Sequence, residues 1–425
     1  MERKAVIGLS VFLVLAATRL TAGPPADKSS PIPIPAPAER ELRRVNYHRV
    51  ASKRSPTPEP GAENTPVISP LVFADGKPVR NAREWYRRRR PELVRDWSEI
   101  LGKIAPATAD QKWFGDVTKA VEISRTEQEG YTRIELDIPL EIDFLQHHLL
   151  LLPKGQGRGP FPAVVAWTSS TPDFRQPEEW WGSYLARRGY VVLTGWSFIR
   201  RYREGTQRKE AAELVYQRFG RWLGLGKMVH DVAREIEYLR SLTQVDGRRI
   251  GFIGFSLGAK AAVYVAAFNP EVKVTVAVDP HIAINGGTNW YDPWYLDWRR
   301  RFEDIRTPAQ TVESLLNPNA ARPGFEHDHH ELMALTAPRA FLLIGGSQSE
   351  DGGGDSDDLQ SWGYFNRAQE VYRVLGIPER IQFLSTDNGH KAVGEKIDFG
   401  WQGFFQYFLK DHPIRFDGYK GKYGP

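Results

Sequence analysis

The stretch that most constrains this chain is Arg249-Ile-Gly-Phe-Ile-Gly254-Phe255-Ser256-Leu257-Gly258-Ala-Lys260. It joins a short apolar run to an Ala/Val-rich helical pattern through Gly-x-Ser-x-Gly. A strand that turns at once into a helix holds its central residue in a strained conformation. Side chains at the flanking positions would meet neighbouring main chain, so glycine is needed there. The turn lifts the Ser256 hydroxyl above a sheet and sets it at a helix N-terminus. There, unpaired N–H groups and the helix dipole favour developing negative charge. The five-residue pattern by itself is common; the buried strand before it and the Ala-rich helix after it make it specific. The plainer reading of Ser256 is a helix cap in an inert turn.

The rest of the chain supplies the sheet such a turn needs. Tyr131–Ile138 and Gln146–Leu152 read as an antiparallel strand pair. Phe161–Trp167, Tyr190–Leu193, Arg249–Gly254, Val272–Val278, Ala340–Ile344 and Ile381–Leu384 read as short buried strands. Helical patterns at Trp180–Arg188, Met228–Leu242, Ala259–Phe268, Asn366–Leu375 and Ile397–Leu409 separate them. Short buried strands alternating with helices imply a mostly parallel central sheet covered on both faces, an α/β fold.

Composition narrows the chemistry. The 425 residues contain no cysteine. That excludes disulfides, thiolate metal sites, Fe–S clusters and a Cys nucleophile. A covalent catalyst must then use Ser, Thr, Lys or a carboxylate. A net charge of +5 is small for this length and is poor support for a nucleic-acid partner. No cofactor is expected.

The N-terminus reads as targeting followed by linker. Met1–Lys4 carry two cations, Ala5–Ala17 is apolar, and small residues follow at Thr21-Ala22-Gly23. This is the layout of a signal peptide, assigned to residues 1–23, with an uncleaved membrane anchor as the alternative. The mature chain is expected to be secreted or periplasmic, without stable membrane insertion. Residues 24–66 are rich in Pro, as in Pro31-Ile-Pro-Ile-Pro-Ala-Pro37, and read as a disordered linker. Residues 67–125 are expected to form an N-terminal helical segment packed on a catalytic domain at 126–415. Within it, Ala82–Ile104 places Trp85, Leu93, Trp97 and Ile100 on one stripe among many arginines, with Pro91 set to kink or split the helix. The arginines read as a solvated face, with a nucleic-acid patch as the sharper alternative.

A hydrolase built on such an elbow carries its acid and its histidine later in the chain, in that order. The histidine is His390, in Thr386-Asp-Asn-Gly-His390, after the final strand and before the closing helix. The acid is expected in the loop after Ala340–Ile344, which offers five carboxylates, Glu350, Asp351, Asp355, Asp357 and Asp358. Asp358, just before the next helix, is the chosen acid; Asp351 and Asp355 are the alternatives, and the other carboxylates are spectators or cation ligands. Two backbone donors should serve the oxyanion: the N–H of Leu257, and one from Ser169 in the loop after Phe161–Trp167. His281, in Asp279-Pro-His281, follows a buried strand and is a candidate substrate contact. Trp290 and Trp294 head an aromatic group whose indoles could stack on sugar rings, or simply pack a cap. The cluster His327-Asp-His329-His330 reads as structural rather than as a metal site.

With these residues in view, the chain resembles the α/β-hydrolases of the dienelactone-hydrolase-like and acetyl xylan esterase group, bordering on the glucuronoyl esterases. Five places carry the resemblance: Pro70–Val79 with Trp85 and Arg87–Glu92, the Ser256 elbow with Lys260, Asn289–Tyr295, Asp328–Arg339, and His390. Two departures stand out. Such enzymes often open their oxyanion loop with His-Gly or His-Gln, where this chain has Trp167-Thr168-Ser169. Glucuronoyl esterases usually flank the nucleophile with Cys and Arg, where this chain has Phe255 and Leu257. The resemblance implies an α/β-hydrolase fold and a serine esterase with a small-molecule or carbohydrate ester as substrate, acetyl xylan esterase-like. A serine peptidase and a non-catalytic binding protein on the same fold are the competing readings. Too few residues precede Tyr131 for the propeller of a prolyl-oligopeptidase-like enzyme, and an intact Ser256–His390 pair argues against the binding protein.

Overall fold

The computed structural model describes residues 68–102, 114–142, 144–169, 173–197, 219, 222, 224–282, 327–346, 357–386 and 389–410. The expected signal peptide and linker, Trp290, Trp294, Asp351 and Asp355 lie outside them.

The strands are β1 (Val121–Gln128), β2 (Tyr131–Glu141), β3 (Phe144–Pro153), β4 (Phe161–Trp167), β5 (Val191–Gly195), β6 (Val245–Phe255), β7 (Val272–Val278), β8 (Ala340–Gly346) and β9 (Ile381–Thr386). They form one sheet in the order β1-β2-β3-β5-β4-β6-β7-β8-β9. β1, β2 and β3 pair antiparallel, as do β3 and β5. From β5 to β9 every pairing is parallel. This is the expected α/β-hydrolase sheet. It begins earlier than the sequence suggests, because β1 crosses residue 125. Every residue of β1 is exposed, so it has no buried face and leaves little hydrophobic signal.

The helices are α1 (Arg90–Leu101), α2 (Ser183–Ala186), α3 (Gly224–Ser241), α4 (Leu257–Phe268), α5 (His329–Leu335), α6 (Leu359–Val374) and α7 (Glu395–Lys410). The alternation of a strand assigns each residue to one side. Ala163, Val165 and Trp167 of β4 join a core with α1, α3, α4, α5 and α6. Val164 and Ala166 face α2 and α7 on the other side. Because both faces are covered, the central strands are apolar at nearly every position.

Ahead of α1, a wide π-helical turn spans Trp85–Arg89. Pro91 has no N–H to give, so it sits in the first turn of α1, where none is required. The helix therefore restarts at Arg90. Trp85, Leu93 and Trp97 are fully buried against the main domain. Trp97 Nε1 donates to Glu331 of α5 at 2.8 Å. Arg83, Arg87, Arg88 and Arg95 are exposed, whereas Arg89 is buried and donates to the Pro70 carbonyl.

The histidine cluster opens a helix rather than lying on a loop. Asp328 caps α5 by accepting from the His329 N–H. His327 bonds Glu331, His329 bonds Tyr264, and His330 donates to the Ile68 carbonyl. These are links between α5, α4 and the N-terminal segment. A second buried polar group lies where α3 meets β2. Lys227 is 3.0 Å from Glu141 and 2.7 Å from Asp231, and all three are buried.

Candidate active site

Ser256 occupies the turn between β6 and α4 with φ 53°, a left-handed value that costs a residue with a Cβ. The glycines make that turn sterically possible. A Cβ on Gly254 would stand 2.3 Å from the Gly258 main chain, and one on Gly258 2.4 Å from the Thr168 carbonyl oxygen. The Ser256 N–H donates to the Val278 carbonyl, which ties the elbow to the end of β7.

His390 reaches Ser256 from the loop between β9 and α7. Its Nε2 lies 3.2 Å from Ser256 Oγ. Its Nδ1 is in close contact with Oδ2 of Asp279. Asp279 follows β7 directly, one strand away from the strand that leads into Ser256. Its other oxygen, Oδ1, accepts the Asp357 N–H at 2.8 Å. Burial alone would raise the Asp279 carboxyl. The hydrogen bond from His390 and the nearby imidazoles outweigh it and hold the group below the usual carboxylate range.

The carboxylate expected to face His390 lies elsewhere. Asp358 accepts from Ser385 Oγ at 2.6 Å. The structure thus places Asp279, not Asp358, against the histidine. The reason is topological: the ends of β7 and β8 are neighbours in the sheet, so either can deliver an acid to the same spot. The only local signal for Asp279 is an Asp followed by Pro at the end of a buried strand. Asp357, beside Asp358, serves the β7 turn instead. Its carboxylate accepts the N–H groups of His281 and Ile282 at 2.6 and 2.9 Å, and the Ser361 hydroxyl at 2.6 Å. Burial and the neighbouring Asp279 charge push it up to about 7.

His281 does not stand on an open surface. It is buried, and its Nε2 lies 3.2 Å from His390 Nδ1. Asp279 and His281 both have left-handed backbones, with φ 57° and 55°. Lys260 Nζ donates to the His281 carbonyl at 3.1 Å, so the residue four after Ser256 helps hold this turn.

Leu257 is the first residue of α4, where an N–H has no acceptor within the helix. Ser169 is buried two residues past β4. Its loop runs beside the elbow, since Gly258 lies against the main chain of Trp167 and Thr168. On β4 itself, the Trp167 indole donates to the buried Glu235 of α3 at 2.8 Å. Above the site, Phe255 lies 4.7 Å from the His390 ring, and Trp180 meets Phe255 edge-on at 5.5 Å. Trp181 is fully buried and Trp196 bonds the His147 carbonyl.

Fold and site together define an α/β-hydrolase carboxylic ester hydrolase of the serine type. A family model described as "Glucuronyl esterase, fungi" matches residues 148–376, more than half of the chain. The chain belongs to the glucuronoyl esterase family, which places it inside the group its sequence only bordered. It is 28% identical over 380 residues to the 4-O-methyl-glucuronoyl methylesterase 1 of Wolfiporia cocos, covering 85% of each chain. Among solved structures, a glucuronoyl esterase from Solibacter usitatus matches with TM-score 0.55 and 16% identity, over 84% of this chain and 98% of that one. A glucuronoyl esterase from Sporotrichum thermophile in complex with methyl 4-O-methyl-β-D-glucopyranuronate matches with TM-score 0.50 and 16% identity, over 81% and 88%. These structural likenesses support the fold. No helix among the described residues is long and apolar enough to cross a membrane.

Proposed function

We propose that this chain is an exported esterase that cleaves the ester of a glucuronic acid carboxyl group, with Ser256 as nucleophile, His390 as base and Asp279 as acid. The observation that carries the reading is the double engagement of His390, with Nε2 on Ser256 and Nδ1 on Asp279. The substrate class is supported by its relatives' names, which describe methylesterases of 4-O-methyl-glucuronoyl groups. The acetyl ester expected from the sequence becomes the control substrate. Export rests on the signal-like residues 1–23.

His390 Nε2 takes the Ser256 proton as Oγ attacks the uronate carbonyl. Asp279 holds the other ring nitrogen protonated and offsets the imidazolium charge. The N–H groups of Leu257 and Ser169 receive the oxyanion. His390 returns the proton to the leaving alcohol. Water, deprotonated by the same nitrogen, then hydrolyses the glucuronoyl-enzyme and regenerates Ser256.

The test compares methyl 4-O-methyl-glucuronate, acetylated xylan and a peptide ester, with Ser256→Ala as control. The uronate ester should turn over fastest. The variant should lose about 10⁴- to 10⁶-fold in kcat, or roughly 5.5–8 kcal/mol of barrier stabilisation. Undiminished hydrolysis by Ser256→Ala removes the nucleophile assignment. Faster release of acetate from xylan than of methanol from the uronate overturns the substrate reading.

A further inference from the structure

One buried histidine has no part in the proposed ester chemistry. His281 is neither the proposed nucleophile nor the acid, yet its ring is pressed against His390. Its turn carries two non-glycine residues in left-handed conformations, Asp279 and His281. Such conformations are strained for a residue with a Cβ and persist only where the surroundings enforce them. Here they are enforced by the Asp357 carboxylate on the N–H groups of His281 and Ile282, and by Lys260 on the His281 carbonyl. The turn presents two side chains, one carboxylate and one imidazole, to a third group, His390.

We propose that Asp279, His281 and His390 form a binding site for a zinc-like divalent cation, and that occupation of this site switches the esterase off. The ligand atoms are a carboxylate oxygen and two imidazole nitrogens, all within 4.8 Å of one another. Two His and one carboxylate are a ligand set that zinc accepts in tetrahedral sites. With Zn–N bonds of about 2.0–2.1 Å, two tetrahedral nitrogen ligands stand about 3.3 Å apart. His281 Nε2 and His390 Nδ1 are 3.2 Å apart already. The contact between Asp279 and His390 has to open as the metal enters. Outer contacts orient the ligands, as they do at metal sites generally: Asp279 Oδ1 stays on the Asp357 N–H, and Asp357 holds the His281 main chain. The His390 side chain is 28% exposed, which gives an ion access from its loop side.

The binding step is balanced. The cation takes the Nδ1 lone pair of His390 in place of the proton there, and that proton leaves to solvent. Asp279 Oδ2 moves its contact from the proton to the metal, and His281 Nε2 adds the third bond. His390 Nε2 still faces Ser256, but on a ring whose electrons are drawn toward the metal, and the Asp279 charge is no longer free to stabilise an imidazolium. Inhibition therefore rests on the proposed roles of His390 and Asp279, whereas metal binding does not.

The experiment separates the two. Zn²⁺ alone is titrated by calorimetry into chelator-treated full-length protein, into Ser256→Ala and into His281→Asn, and the Co²⁺ visible spectrum is recorded for each. Ser256→Ala should bind as the parent does, since Ser256 is not a ligand. His281→Asn should bind at least about 100-fold more weakly, beyond the roughly 10- to 100-fold that loss of an outer contact costs. Because His281 sits on a strained turn, ¹⁵N spectra of the imidazoles in the unmutated chain provide a second measurement, and Zn²⁺ should shift His281 Nε2 and His390 Nδ1 together. Equal binding by His281→Asn, or no shift of these two nitrogens, overturns the site. Binding at the site with ester hydrolysis unimpaired retains the metal site but overturns the off-switch, and with it the base role of His390.

Discussion

Asp279→Asn isolates the acid of the proposed triad from its surroundings. The side chain is buried, and its two oxygens face different partners: Oδ1 takes the Asp357 N–H at 2.8 Å and Oδ2 faces His390 Nδ1. An asparagine has one oxygen and one amide nitrogen. The Asp357 N–H demands the oxygen, so the NH₂ is left toward His390. That donor favours the ring tautomer with its lone pair on Nδ1 and its proton on Nε2, which then points at Ser256 and cannot accept the hydroxyl proton. The same change in a Ser-His-Asp triad costs about 10⁴ in kcat, or about 5.5 kcal/mol of barrier. The control is Asp358→Asn, which retains an oxygen for Ser385 and should change kcat less than about threefold, under about 0.7 kcal/mol. Both variants are assayed for methanol release from methyl 4-O-methyl-glucuronate, with unfolding curves to establish that they fold. If Asp279→Asn retains more than a tenth of the parent activity, or Asp358→Asn falls as far, the acid is not Asp279.

Two further variants test the scaffold. Burial pushes the Asp398 carboxyl up to about 6, against the opposing hydrogen bond from Trp401 Nε1 at 3.0 Å. Its folded value lies above the unfolded one near 3.8, so the stability it contributes is full below that value and lost as pH rises through about 6. Asp398→Asn keeps an acceptor for Trp401 and should stabilise by about 2–3 kcal/mol at pH 8 and by nothing near pH 3.5 in urea unfolding; an equal gain at both pH values would falsify the argument. Lys227→Met removes the buried ammonium held 3.0 Å from Glu141 and 2.7 Å from Asp231 and should cost about 3–5 kcal/mol in the same assay at neutral pH; a loss under about 1 kcal/mol would refute a structural role for that pairing.

The elbow is readable from the sequence because its requirements are local. A strand-to-helix turn with a left-handed serine needs glycine at fixed offsets, because a Cβ on Gly254 or Gly258 would stand within 3 Å of neighbouring main chain. His390 is readable for a related reason, since it occupies the loop between the last strand and the closing helix. The apolar run of β4 marks its strand end to end, because both faces are covered. β1 escapes notice because neither face is buried. The opening Asp-His-His of α5 carries no apolar periodicity, and the helix is buried by α6, α4 and α1 packed around it.

The sequence by itself determined the class of fold, the Gly-x-Ser-x-Gly turn that carries Ser256 and the place of His390 after the final strand. Each is a property of a few neighbouring residues or of a periodic pattern. Only the tertiary structure decided which carboxylate meets His390. By residue type Asp279 and Asp358 are equal, and by chain order Asp358 is the more regular choice. Asp279 is 111 residues from His390 along the chain and meets it only because β7 and β8 lie side by side. Through-space distance sets an electrostatic partner, and sequence separation carries almost no information about it. The same holds for His281, whose ring reaches His390 only on a turn clamped by Asp357 and Lys260 from two other parts of the chain.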